Sequence, residues 1–336
     1  MNTKIDSLEA LDRVSRGFQH SRIIQTAAKL RLFDHTRIES PGTIEDIAKG
    51  ASISLRGAEI LLDGLASMGL VIKDNGKYKN SDLAEFHLVS SSKSLKLYAM
   101  DHGEQIYRKW SHLPEIVKTG LPVKGTLPSI MDDHDANRVF IMAMHAHGFS
   151  RGQVIAKTLD LEGITRVVDI GGGPGSYLLA LAEQKPTIQG TLVDIALTLQ
   201  TAKRVIEEVN PEANIRFVEK DIFSGTDPFA SNQDLAILSN VMHIVGAETN
   251  IQLLKRTFES LKPGGRVIIQ EFLLDETSIN PQRAAIFAVN MLVSTESGRA
   301  WKERVVRTWM EMAGFVEIER LKVKTDSDLL IAQKPQ

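Results

Sequence analysis

Residues 167 to 176 read Val-Val-Asp-Ile-Gly-Gly-Gly-Pro-Gly-Ser, a short apolar run that turns directly into a glycine-rich loop. A buried strand entering such a loop constrains the fold more than any other feature. Glycine is needed where the backbone takes positive φ, and where a ligand approaches the main chain at a helix N-terminus. From Thr165 onward, apolar runs of strand length alternate with stretches of helical period. The strands are expected at 167–170, 190–193, 215–219, 235–239, 266–271, 315–323 and 329–333, with helices around 177–184, 197–209, 249–261 and 300–313. This pattern predicts an α/β, doubly wound, mainly parallel sheet. Only the short turn Lys324–Asp328 separates the last two strands, so they can pair antiparallel.

The N-terminal part has a different texture. Leu11, Val14, Phe18, Ile23, Ala27 and Leu30 recur at helical spacing, and two short capped helices follow around Thr43–Ala48 and Ser54–Gly69. Asp74-Asn75-Gly76 then marks a hairpin. Helix, turn, helix and hairpin in that order suggest a winged-helix unit. The second helix offers Arg56 as its one cation beside Glu59 and Asp63, which suits packing or dimerisation better than reading DNA. Residues 94 to 160 are mostly helical in pattern, with breaks at Leu121-Pro122 and Leu127-Pro128. The expected domains are a winged-helix unit at 1–92, a helical connecting layer at 93–160 and a cofactor-binding domain at 161–336.

Length agrees with this division, since 336 residues exceed one typical core. A formal charge of −2 argues against strong general attraction to nucleic acid or anionic membrane, so small-molecule chemistry fits better. The absence of cysteine removes disulfides, thiolate nucleophiles and cysteine-ligated zinc. No apolar run approaches a membrane span and the first ten residues lack a signal-peptide core, so a cytoplasmic protein is expected.

The ligand class follows from what stands in and beside the loop. A dinucleotide pattern counted from Gly171 and Gly173 needs glycine at 176, where the chain has Ser176. Asp169, just before the loop, would repel a pyrophosphate and attract a cationic amino group. Asp194 ends the second strand, where a carboxylate can accept ribose hydroxyls. Asp221 follows the third strand, with Ile222 and Phe223 available to flank an adenine ring. Three acids in this order point to S-adenosylmethionine. Gly171, Gly173, Ser239 and Asn240 complete the candidate cofactor positions.

The fourth strand delivers Asn240-Val241-Met242-His243 to the edge where ligands lie in a doubly wound sheet. A phenol with a pKa near 10 is mostly neutral at pH 7, and an imidazole near 6.5 can take its proton during attack. Glu271, ending the next strand, is placed to hold the second ring nitrogen. By spacing alone, a structural histidine beside a surface acid fits as well.

The chain resembles the small-molecule O-methyltransferases with an N-terminal winged-helix dimerisation domain, the caffeic acid and acetylserotonin type with its bacterial natural-product relatives. The resemblance rests on V-V-D-I-G-G-G-P-G at 167–175, L-V-D at 192–194, K-D-I-F at 220–223, N-V-M-H at 240–243, L-K-P-G-G-R-V-I-I-Q-E at 261–271 and M-A-G-F at 312–315. It implies a seven-stranded Rossmann-like sheet, S-adenosylmethionine as cofactor, a homodimer and no metal. It also implies His243 as catalytic base, Glu271 as one of two acids around it, and Gly171, Asp194, Asp221 and Ile222 or Phe223 as cofactor contacts. Met100, Asp101 and Trp110 match a segment that meets substrate, and Phe140, Met144, His147 and Met291 match acceptor-pocket positions. Three departures stand out. The family's H-D-W is His243-Ile244-Val245, its second acid falls at Ala300, and Ser239 replaces a frequent cofactor-contacting lysine or arginine. Oxygen on a small aromatic or polyketide-like acceptor is the first expectation. Methyl transfer to ring carbon or nitrogen, and a DNA-binding S-adenosylmethionine sensor, are the alternatives. The acidic run Asp132-Asp133-His134-Asp135 with His145 and His147 reads as a solvated loop and helix rather than a metal site, because i,i+2 positions do not share a helix face.

Overall fold

A computed structural model describes residues 4–125, 129–323, 327 and 329–336. The expected break at Leu127-Pro128 and all of the 324–328 turn except Ser327 lie outside them. The chain divides into two compact units, residues 1–108 and 109–336.

In the first unit, α1 (Leu8–Arg16) and α2 (Phe18–Lys29) precede β1 (Gly42–Thr43), α3 (Ile44–Gly50), α4 (Leu55–Ser67), β2 (Val71–Asp74), β3 (Lys77–Asn80) and α5 (Asp82–His87). The caps are legible in sequence: Thr43 and Asp46 form a reciprocal capping box on α3, and the Ser54 hydroxyl caps α4. Asn75 and Gly76 both take positive φ, the backbone a two-residue hairpin needs between twisted strands. The strands pair antiparallel in the order β1-β3-β2, completing the winged-helix arrangement. Its core is Leu32, Phe33, Ile47, Leu62, Leu65, Val71 and Tyr78. The helix α6 (Lys96–Trp110) runs from this unit to the first residues of the second.

The second unit continues with α7 (Leu113–Thr119) and α8 (His134–Thr158). Then come β4 (Arg166–Ile170), α9 (Ser176–Gln184), β5 (Gln189–Asp194), α10 (Ala196–Val209), β6 (Ile215–Glu219), β7 (Gln233–Ser239), α11 (Ala247–Ser260) and β8 (Leu261–Gln270). The chain ends with α12 (Gln282–Ser294), α13 (Glu303–Met312), β9 (Val316–Leu321) and β10 (Leu329–Gln333). The helices of the expected 93–160 layer are thus shared between the units. The seven strands lie in the order β6-β5-β4-β7-β8-β10-β9. The first five are parallel and β10 is antiparallel to both neighbours.

Alternate side chains of the central strands feed two cores. Val168, Ile170, Ala236, Leu238, Val267 and Ile269 pack with α11 and α13, and Val167, Leu235, Ile237 and Ile268 with α9 and α10. Burial on both faces explains why these strands read as continuous apolar runs. The strand β8 begins five residues before the expected Arg266, through Lys262-Pro263-Gly264-Gly265. Its register against β7 shifts there, and Gly264 takes positive φ. Proline and glycine obscure such a strand start in sequence.

Candidate active site

The strand order reverses at β4, which makes the carboxyl ends of β5, β4 and β7, beside the glycine loop, the expected place for a ligand. Gly171, Gly173 and Gly175 all have positive φ, which accounts for glycine at alternate positions. The loop is also closely enclosed. A Cβ on Gly171 would meet Ile222 at 2.7 Å and Val241 at 2.8 Å, and one on Gly172 would overlap Leu192 and the Asp169 carboxyl. The Gly171 N–H donates to the Val193 carbonyl at 2.8 Å, tying the loop to β5.

Asp169 lies beneath this loop with no exposed surface, and neither carboxylate oxygen has a hydrogen-bond partner. Burial, reinforced by Asp194, pushes its pKa up to about 8. A buried carboxyl without donors is costly as an anion unless a cation meets it. An ammonium group is the kind of partner this carboxyl lacks, and a cationic amino group is what Asp169's place before the loop leads one to expect. Asp194 is held in place: one oxygen accepts the Gly173 N–H at 2.9 Å and the other its neighbour Ile195 N–H at 2.8 Å. Burial raises its pKa despite these donors. Asp221 is exposed and accepts the Phe223 N–H at 2.9 Å, Ile222 is buried against the loop, and Phe223 packs half-buried on the core.

Ser239 carries no charge, and its hydroxyl is engaged within the protein. Its hydroxyl donates to the Gln270 side-chain oxygen Oε1 at 3.0 Å and accepts from Asn240 Nδ2 at 3.0 Å. The Tyr177 hydroxyl donates to the same Gln270 oxygen, and Gln270 donates to Ser327 at 3.0 Å. Asn240 takes positive φ at the end of β7, with its side-chain oxygen buried and unpartnered.

Beyond it, His243 is buried with Nδ1 2.8 Å from Glu271 Oε2. The other Glu271 oxygen accepts the Met242 N–H at 2.8 Å, so one carboxylate fixes both the ring and the turn that carries it. Spacing had left the pairing of these two residues open, and the geometry joins them. Sequence reading missed the rest of the support. Trp301 Nε1 and Asn250 Nδ2 both donate to the Met242 carbonyl, at 3.0 and 2.8 Å, and Asn250 also reaches Val245. A side chain at Gly298 would overlap the His243 carbonyl oxygen, so the turn at 298–299 needs a glycine. Phe287 meets the imidazole edge to face at 4.8 Å and stacks on Phe272 at 4.1 Å. Ala300, the position of the absent second acid, is buried in an apolar cluster with those two rings.

The sequence profile of the O-methyltransferase domain family matches residues 110–316, well over half of the chain. The chain belongs to this O-methyltransferase family. A second profile, the O-methyltransferase dimerisation domain, matches residues 13–90. Relatives include acetylserotonin O-methyltransferase of Macaca mulatta, 27% identical over 98% of both chains. Another is 3-hydroxy-5-methyl-1-naphthoate 3-O-methyltransferase of Streptomyces sahachiroi, 28% identical over 82% of this chain and 81% of that protein. A crystal structure of human N-acetylserotonin methyltransferase in complex with SAM superposes with a TM-score of 0.85 at 26% identity, covering all of both chains.

Within this O-methyltransferase the expected acceptor residues belong to several different elements. Phe140 and Met144 are half-buried on α8, His147 is exposed there, and Met291 is buried on α12. Trp110 Nε1 donates to Asn290 at 2.9 Å, next to Met291. Met100 and Asp101 belong to the first unit, where Met100 packs on the winged-helix core and Asp101 pairs with Arg31 at 2.8 Å. Among the described residues no group of acids and histidines could hold a metal ion, and no helix is long and apolar enough to cross a membrane.

Proposed function

We propose that this O-methyltransferase methylates a hydroxyl on a small aromatic or polyketide-like acceptor, with His243 as the general base. The observation that carries the reading is the His243–Glu271 pair at the carboxyl edge of the sheet. A carboxylate on Nδ1 keeps that nitrogen protonated and leaves Nε2 free to accept a proton. Phe287 and Phe272 give the imidazole an apolar wall suited to a flat acceptor ring. Relatives named for acetylserotonin and for a hydroxynaphthoate support the acceptor class.

S-adenosylmethionine, when bound, supplies the electrophilic methyl group. Asp169 would pair with its ammonium, Asp194 would accept from its ribose hydroxyls with the lone pairs its backbone donors leave, and Ile222 would cover the adenine beside Asp221, a reading supported by the unpartnered Asp169 carboxyl and the Gly173 bond to Asp194. His243 takes the acceptor hydroxyl proton as the oxygen attacks, and Glu271 stabilises the imidazolium that results. Ala300 removes a second carboxylate from this arrangement, so orientation of the base falls to Glu271 and the packed turn. His243→Ala is expected to keep S-adenosylhomocysteine affinity and lose about 100-fold or more in turnover. Full turnover in that variant would leave alignment alone as the source of rate and reject the base.

The dimerisation domain is proposed to act between two copies of this chain. Leu8, Leu11, Val14 and Phe18 are exposed along α1 and the start of α2, a stripe that a second copy would cover. A monomer in sedimentation velocity at micromolar concentration would overturn this.

A further inference from the structure

The glycine loop ends at Ser176, whose side chain does something the loop motif does not require. It is the first residue of α9, and the helix has no side-chain cap, so its first N–H groups are left for a ligand. The cap position is Gly175, which has no side chain, and the Ser176 hydroxyl is engaged away from the helix end: Ser176 Oγ lies 2.8 Å from His145 Nδ1. Both residues are buried, at 2% and 6% exposure. Burial lowers the His145 pKa, which favours a neutral ring making one directed bond to the hydroxyl.

The face of α8 that carries His145 is built for this approach. A Cβ on Gly148 would stand 3.4 Å from Ser176 Oγ, and one on Gly152 would stand 3.2 Å from the Ser176 carbonyl oxygen and from Ala180. Ile141, one turn before His145, comes nearest to Gly173 in the loop itself. Asn137, one turn earlier still, donates to Thr198 at 3.2 Å on α10. Positions 137, 141, 145, 148 and 152 thus form one helical stripe laid on the loop and the two helices behind it.

We infer that His145 is a positioning residue for the amino-acid end of S-adenosylmethionine, acting through Ser176. By holding the hydroxyl, His145 fixes the last residue of the cradle above Asp169. The inference rests on the methyltransferase reading and adds to it a residue from the helix before the sheet.

The test is calorimetric titration of the full-length protein with S-adenosylhomocysteine, alongside turnover at saturating S-adenosylmethionine and thermal melting. His145→Ala and Ser176→Ala are each expected to weaken binding about five- to tenfold, as loss of one buried hydrogen bond does. The double variant should bind no more weakly than the worse single one, because both remove the same contact. His145→Asn should restore most of the affinity, and turnover at saturation should stay within about twofold, because His243 and Glu271 are untouched. Unchanged affinity with a lowered melting temperature would make the pair purely structural and overturn the inference, as would additive losses. If His145→Ala fails to fold, Ser176→Ala removes only an oxygen and decides alone. Failure of the wild-type protein to bind S-adenosylhomocysteine would instead reject the methyltransferase reading.

Discussion

Asp169 and Asp234 are both buried aspartates on neighbouring parallel strands, at opposite edges of the same sheet. Asp234 opens β7 at the amino edge. One of its oxygens accepts the Thr165 N–H, the Thr165 hydroxyl and the Arg166 N–H at 2.7 to 2.9 Å, and the other meets Lys262 at 2.5 Å. Burial alone would raise its pKa, yet Lys262 and these donors hold it down to about 2. Asp169 lies one residue before the carboxyl end of β4 with no donor, and its pKa goes up to about 8. One carboxylate is satisfied within the fold and stabilises it. The other has no donor within the fold, so burial favours its neutral form unless a cation meets it.

Asp169→Asn would break the comparison most severely. S-adenosylmethionine affinity is expected to fall by about 2–5 kcal/mol, the usual range for removing one side of a buried charge pair. The pH dependence carries a definite sign. In the cofactor-free protein the raised pKa makes the Asp169 contribution to stability fully present below about 3.8 and lost as pH rises through about 8. Cofactor affinity should accordingly rise with pH up to about 8, with a proton released on binding. Asp169→Asn should flatten both slopes, and an unchanged affinity profile would remove Asp169 from the site. Asp234→Ala is expected to lower stability by about 2 kcal/mol, from its depressed pKa, with cofactor affinity intact. The Asp234 contribution is present above about 3.8 and lost as pH falls through about 2, which acid unfolding of the two proteins would show. Lys262→Gln should be smallest, below about 1 kcal/mol in denaturant unfolding, because that lysine is half-exposed.

Much of the fold was legible because its strands are buried on both faces and its turns carry glycine and asparagine where positive φ is needed. The start of β8 was hidden by Pro263 and the two glycines after it. Within the site, strand-end position alone singled out Asp169, Asp194, His243 and Glu271. The groups that hold them in place left no such signal. Asn250 and Trp301 secure the Met242 carbonyl from 8 and 59 residues away, and Phe287 reaches His243 from α12. His145 and His147 are alike in sequence, but only the first is buried against Ser176.

The sequence by itself determined the alternation of strands and helices, the loop that refuses a dinucleotide, and the order of acids along the strand ends. It marked Asp169 by its place before the glycine loop, but it could not show which groups partner Asp169 or Asp234. Only the tertiary structure decided that, by bringing Thr165, Arg166 and Lys262 to one carboxylate and nothing to the other. A carboxyl group's pKa is set by the donors and charges around it in space, and those arrive from other strands.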